Sequence, residues 1–220
     1  MTRNARRSSD NLTKKKEKAI FSTMEIVLAT RNRKKVEEIS RIFKDRGIFF
    51  LTLDDFPSCP EVEEDADTFE GNAVKKALTI ARCTGKSAIA DDSGLEVYGL
   101  DSAPGVLSAR YAGPDADDRA NNEKLLAAMK RLPDVMRGGR FVCCIAFALP
   151  DGTVRTFTGF VEGTIGKELC GRSGFGYDPL FYPKGYSKTF AEMLPREKDL
   201  VSHRKMALSQ LKAFLEASVS

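Results

Sequence analysis

Residues 24–53 read MEIVLATRNRKKVEEISRIFKDRGIFFLTL. Residues 24–29 form an apolar run of strand length, and residues 30–35 are polar and charged. Val36, Ile39, Ile42 and Phe43 then recur at helical spacing, with Gly47 as the stop. Residues 48–53 are a second apolar run, rich in residues that suit a pleated surface. A strand, a short polar loop, an amphipathic helix and a second strand make the opening unit of an α/β domain.

Downstream, residues 54–67 are acidic and contain Pro57 and Pro60, which predicts a loop. Thr68 is placed to cap a helix whose apolar face is Val74, Ala77, Leu78 and Ala81, with Gly85 ending it. A short strand over 87–90 is expected to run into a turn at Asp91-Asp92-Ser93-Gly94. Residues 118–131 read as a helix with Leu125, Leu126 and Met129 inward. Residues 140–149 and 153–160 flank Pro150-Asp151-Gly152 as a hairpin, with a kink expected at Gly159 before the strand resumes over 161–165. The last helix is expected over 203–215, with Met206, Leu208, Leu211 and Phe214 on its apolar face.

The formal charge of +4 comes from one end of the chain. Residues 1–23 carry seven Lys or Arg against two acids, so the remainder nets −1. The domain is therefore not a basic nucleic-acid binder by bulk charge, and no stable nucleic-acid partner is expected. The division expected is a disordered basic extension over 1–23, with no secretory h-region, and a single domain over 24–220. Met24, which opens the first apolar run, is a candidate start. No run approaches the roughly 20 apolar residues of a membrane span. The five cysteines form no CxxC pair and read as reduced thiols, with Cys143 and Cys144 on opposite faces of one strand. His203 is the only histidine, which excludes multi-histidine zinc sites.

Four segments carry chemistry. Thr30, Asn32 and Lys35 stand at a strand-to-helix turn, where free N–H groups and the positive helix end suit phosphate; an exposed polar helix start is the plain alternative. The acids of 61–67 together with Asp91 and Asp92 offer the carboxylate oxygens that Mg²⁺ requires, or a solvated loop and a capped turn. Ser173-Gly174-Phe175-Gly176-Tyr177-Asp178 presents aromatics from a tight loop: a base stacks on such a ring, or the rings fill the core. Lys198, His203 and Arg204 supply donors beside a helix that Ser202 caps, or surface charge on an amphipathic helix.

Taken in order, T-x-N-x-x-K, E-E-x-x-x-T-F, A-D-D-S-G-L, S-A-R-Y-A-G, G-F-G-Y-D-P-x-F and S-H-R resemble the inosine triphosphate pyrophosphatase family from Met24 to about Glu216, nearly the whole chain after the basic extension. Arg31 stands where many members have Gly. The resemblance implies an elongated mixed β-sheet with flanking helices, two lobes around a central nucleotide cleft, and a homodimer. It implies Mg²⁺-dependent hydrolysis of ITP, dITP and XTP to monophosphate and pyrophosphate, in the cytoplasm. It assigns Thr30, Asn32 and Lys35 to the phosphates, and Glu63 and Asp92 to the metal, with Asp92 also the general base. Ser93 contacts substrate; Phe175, Gly176, Tyr177 and Asp178 wall the base, and Lys198, His203 and Arg204 complete its pocket. Asn72 and Lys76, one turn apart, support the metal–phosphate site. The alternatives are a Maf-type pyrophosphatase for other modified nucleotides, a nucleotide-binding module without turnover, and an RNA binder using its basic tail.

Overall fold

A computed structural model describes residues 24–43 and 47–219. The expected disorder of 1–23 lies outside the described residues. One six-stranded sheet runs in the order β2-β1-β3-β4-β5-β6. Its strands are β1 Met24–Leu28, β2 Ile48–Thr52, β3 Ser87–Val97, β4 Gly138–Ala148, β5 Val154–Ile165 and β6 Phe181–Pro183. β1 pairs in parallel with β2 and β3, and the remaining pairs are antiparallel, so the sheet is mixed. The helices are α1 Arg33–Ile42, α2 Phe69–Thr84, α3 Asp118–Ala128, α4 Pro195–Val201 and α5 His203–Val219.

Three apolar clusters explain the shape. On one face of the sheet, Ala73, Ala77, Ile80 and Ala81 of α2 pack against Val27, Ala88, Ala90, Cys144 and Ala146. On the other face, Ile39 of α1 and Ala207, Leu208 and Leu211 of α5 cover Ile26, Leu28, Ile89, Cys143 and Ile145. Cys143 and Cys144 thus point to opposite faces, as the strand period demands. The third cluster, around Leu95, Val97, Leu125, Phe141, Phe181 and Phe190, forms a second lobe. β3 and β4 run through both lobes. Between its apolar ends, Ala88–Ala90 and Leu95, β3 carries Asp91, Asp92, Ser93 and Gly94, which leaves a polar cleft where the clusters separate.

Several expectations need correction. The Asp-Asp-Ser-Gly segment is not a turn: it continues β3, paired in register with Cys144 and Cys143 of β4. β5 is unbroken at Gly159, which pairs with Cys143. The glycine is required for packing, because a Cβ there would lie 2.3 Å from the His203 carbonyl oxygen and 2.6 Å from the Ala207 nitrogen of α5. α1 ends at Ile42, before Gly47, with Phe43 as its C-cap donating N–H to the Ile39 carbonyl. α3 stops at Ala128, short of Arg131, and α5 extends beyond Leu215 to Val219. Met206 is about half exposed rather than inward. α4 and β6 had no sequence signal strong enough to separate them from loop.

The reduced-thiol expectation also fails. Cys59 and Cys83 form a disulfide with Cα atoms 5.8 Å apart, while Cys143, Cys144 and Cys170 are free. Their pairing is set by the tertiary approach of the acidic loop to the end of α2, which spacing along the chain does not report. The caps follow expectation: Thr68 Oγ1 accepts from the Gly71 N–H, and Gly85 ends α2 in the left-handed region at φ +65°. Among the described residues no helix is long and apolar enough to cross a membrane.

Candidate active site

The strand period places Asp91 and Asp92 on opposite faces of β3, and each meets a different helix. Asp92 faces α2. Its Oδ1 lies 2.9 Å from Lys76 Nζ, and its Oδ2 accepts from Asn72 Nδ2 at 3.2 Å. Asn72 and Lys76 are one helical turn apart and reach the same carboxylate, as their spacing implies. Lys76 Nζ also lies 2.5 Å from Glu64 Oε1 and donates to the Asp91 carbonyl at 2.9 Å. One ammonium thus bridges two carboxylates, and Arg110 Nη1 adds a second positive charge 3.7 Å from Glu64 Oε2. Burial pushes the Asp92 carboxyl above its ordinary range; Lys76 opposes the shift, and the charge of Glu64 reinforces it. Burial alone would raise Glu64, but Lys76 holds it below its ordinary value. Burial would lower Lys76, and Asp92 and Glu64 together hold it above.

The inward acid of the loop is Glu64, not Glu63. Exposure alternates along 61–67, with Val62, Glu64 and Ala66 turned inward and Glu63 exposed. In such a segment a one-residue difference changes the face. The signal was present: Val62 and Ala66 flank Glu64 at the strand period. Arg110, also missed, fixes the loop by donating from Nη2 to the Glu64 carbonyl at 2.6 Å. Ser108 accepts from the Leu95 N–H at 2.9 Å and donates to the Gly105 carbonyl at 2.6 Å. A Cβ on Gly94 would lie 2.3 Å from Ser108 Oγ, so the two motifs pack on each other.

Asp91 faces α1 and α5. Its carboxylate receives Lys35 Nζ at 2.6 Å, Arg204 Nε at 2.8 Å and the Ser93 hydroxyl at 2.8 Å. Burial would raise its pKa, but Arg204 and Lys35 hold it well below the usual carboxylate range. Arg204, itself buried, also donates to Glu38 Oε2 at 2.7 Å and to Ser93 Oγ at 2.9 Å. Arg204 and Ser93 therefore line the cleft with polar groups already engaged inside the protein. Asp91, expected beside Asp92 as a Mg²⁺ carboxylate, is instead a structural acid spent on Lys35 and Arg204, and Glu38 is a second that sequence reasoning passed over. β3 runs unbroken through the Asp pair, and the strand period then points one Asp to each face.

The phosphate-type end of the cleft is the start of α1. Asn32 caps the helix, its Oδ1 accepting from the Lys35 N–H at 3.2 Å, and Thr30 Oγ1 accepts from the Asn32 N–H at 3.2 Å. Both contacts leave the Thr30 hydroxyl hydrogen and the Asn32 amide NH₂ unspent. No acid occupies the first turn of α1, so its positive end faces the cleft unopposed by its own helix.

The opposite end is aromatic. Phe175 is half-buried, with Lys198 Nζ 5.0 Å and the Arg204 guanidinium 5.7 Å from its ring centre. Asp178 Oδ2 accepts from the Phe175 N–H at 2.9 Å and from Lys198 at 2.6 Å. A Cβ on Gly174, which lies at φ +77°, would stand 2.0 Å from that oxygen, so the loop needs glycine there. Burial raises the Asp178 carboxyl, with Lys198 opposing. Tyr177 serves the core as well as the cleft: its ring sits in the second-lobe cluster and its hydroxyl donates to the Ser108 carbonyl at 2.9 Å. His203 is buried and stacked on Phe141, with ring centres 4.9 Å apart. Burial, then Arg204 and Lys198, hold its pKa well below the ordinary value, so the ring is neutral at pH 7. Its Nδ1 is buried without a hydrogen-bond partner among the described residues.

These groups share one cleft of about 290 Å³. Thr30, Asn32, Lys35, Lys76, Asp92, Ser93, Lys198 and His203 line it, as do Arg204 and the Phe175–Asp178 loop. Asn72 lies beneath Asp92 rather than on the cleft wall, and Glu63 lies outside it. Among the described residues no three His, Cys, Asp or Glu are grouped to hold a metal. The fit for a divalent cation is that of a site keeping several waters: Glu64 and Asp92 already converge on one positive charge, and substrate oxygens would complete the shell.

A model of the Ham1 family matches residues 26–214. The chain is 50% identical over 187 residues to a dITP/XTP pyrophosphatase of Desulforamulus reducens, covering 85% of this chain and 93% of that protein. It is 53% identical over 186 residues to a dITP/XTP pyrophosphatase of Syntrophobacter fumaroxidans, covering 84% and 79%. Among solved structures it is similar to a Ham1 protein from Coxiella burnetii, with a TM-score of 0.81, 42% identity and coverage of 88% and 99%. The Ham1 protein of Staphylococcus aureus gives a TM-score of 0.79 at 40% identity, with the same coverage.

Proposed function

The chain belongs to the Ham1 family, and from that premise we propose that it hydrolyses the non-standard purine nucleoside triphosphates dITP, ITP and XTP to monophosphate and pyrophosphate. The observation that carries this reading is the order of groups along one cleft: an anion-ready helix start, a carboxylate–ammonium cluster, then an aromatic loop. That order matches phosphates, reacting phosphorus and base.

Thr30, Asn32, Lys35 and the first turn of α1 bind the distal phosphates through N–H groups and charge. Glu64 and Asp92 are the residues that would hold Mg²⁺, in the place between them where Lys76 now stands. Bound there, the ion would supply charge neutralisation and Lewis-acid activation of water. Asp92 accepts the proton of the water that attacks the α phosphorus, and the bond to the bridging oxygen breaks, releasing pyrophosphate. Such catalysis rests on positioning and charge, and no covalent enzyme intermediate is needed.

Base selection follows from the donors at the aromatic end. The base stacks on Phe175. His203 and Lys198 meet its 6-oxo group, with the neutral imidazole presenting one N–H. Adenine would set an amine against these donors, leaving buried groups unpaired. Guanine shares the 6-oxo group and is not rejected by this contact. The chain acts in the cytoplasm as a homodimer in this reading. Product analysis tests the reaction: dITP should give dIMP and pyrophosphate only with Mg²⁺ present, and formation of dIDP and phosphate would refute cleavage between the α and β phosphates.

A further inference from the structure

The Cys59–Cys83 disulfide encloses the acidic side of the cleft. Its ring spans a sequence separation of 24 and contains Glu64, Asn72 and Lys76, three of the groups gathered on or around Asp92. Residues 60–67, which deliver Glu64, make no backbone-to-backbone hydrogen bond to another described residue. Side chains hold them instead. Arg110 bonds the Glu64 carbonyl, Asn72 bonds both backbone groups of Ala66, and Lys75 pairs with Asp65. At the upstream end the anchor is Cys59, buried against Leu53, Phe69 and Ile80. At the other end Cys83 is exposed on the last turn of α2.

We propose that Cys59 and Cys83 form a reversible thiol–disulfide site whose oxidised state holds the Glu64 loop in the geometry that grips the cation–triphosphate. This regulation rests on the pyrophosphatase reading of the same cleft. A loop fixed only by side chains loses part of its ordering cost when its entry is covalently tied, and preorganisation appears as affinity. The exposure of Cys83 gives the exchange a point of attack. The thiolate of a small dithiol reductant attacks Cys83 Sγ, the sulfur–sulfur bond breaks, and Cys59 leaves as a thiolate that takes a proton. The reductant's second thiol then displaces Cys83. Two protein thiols result, and the two electrons come from the reductant, which ends as its own disulfide. Oxidation by a disulfide-class oxidant reverses each step.

The full chain is compared as purified under oxidising conditions, after dithiothreitol, and as Cys83→Ser. Alkylation under denaturing conditions with intact mass counts the free thiols. Hydrogen exchange reads the amides of 60–67, and pyrophosphate release from dITP reads the Mg²⁺ concentration for half-maximal rate. Expected are three alkylatable thiols in the oxidised protein and five after reduction. Reduction should speed exchange across 60–67 and raise the half-maximal Mg²⁺ concentration by about tenfold, the lower end of the effect of losing a supporting contact. kcat at saturating Mg²⁺ should change little by comparison, and Cys83→Ser should match the reduced protein in exchange and Mg²⁺ dependence. Five free thiols in the oxidised sample, or unchanged exchange and Mg²⁺ dependence on reduction, overturn the proposal. Absence of pyrophosphate release from every form overturns the pyrophosphatase reading instead, and exchange across 60–67 still decides the redox site.

Discussion

At the scale of single residues, two neighbouring carboxylates of one strand have opposite duties. Asp91 is locked by Lys35, Arg204 and Ser93 and is charged at any working pH. Asp92, with a raised pKa and one shared ammonium, is the group able to take a proton. Asp92→Asn should reduce turnover by at least 10³-fold, on the order of removing a central base or metal ligand, while nucleotide binding largely survives. Near-normal kcat in that variant would remove Asp92 from the mechanism. Wild-type activity should fall on acidification through a pKa above the ordinary carboxylate range, and raising Mg²⁺ should move that limb to lower pH, since a bound cation favours the ionised form. Phe175→Ala should raise KM by the loss of about 1–3 kcal/mol of stacking, with kcat less affected; a wild-type KM would end the stacking role. The types of these residues were legible in the sequence. Their partners were not: that Arg204 is spent on Asp91 and Glu38, or that Glu64 rather than Glu63 turns inward, depends on which face each neighbour occupies.

At the scale of elements, periodicity and caps identified β1, α1, β2, α2 and the β4–β5 hairpin, because each pairs a clear apolar period with a stop signal. What it missed was continuity. Asp91–Gly94 and Gly159 look like breaks, yet both lie within unbroken strands, since the ladder tolerates polar or small residues where a cleft or a helix lies against it. Gly159 is the sharper case, with the α5 backbone seated directly on it. Gly159→Ala should destabilise the protein by about 1–3 kcal/mol, the usual cost of overpacking. Urea unfolding measures it, and an unchanged midpoint would mean that α5 is not held against β5 there. The disulfide between the acidic loop and α2 lay beyond sequence reasoning for the same cause: it joins elements by position in space.

At the scale of the whole molecule, two lobes share long strands, and the polar centre of β3 marks the cleft between them. Motif order made this arrangement legible, because each motif is weak alone and the set is not. The cleft carries a cost in acid. His203 is the only histidine, is buried at the lobe junction, and has a folded pKa well below its unfolded value. The unfolded chain therefore binds its proton first, so stability should fall as pH drops below about 6.5, with a slope of up to about 1.4 kcal/mol per pH unit. His203→Asn should flatten that slope; a slope unchanged in the variant would show that the imidazole titrates alike in both states. The central claim is that this cleft cleaves 6-oxo purine triphosphates, and its most direct measurement is pyrophosphate release from dITP, ITP, XTP, GTP and ATP, with and without Mg²⁺. The account predicts fast, Mg²⁺-dependent release from dITP, ITP and XTP and little from ATP. Equal release from ATP would contradict the base assignments, and no release from any of the five would contradict the reaction itself.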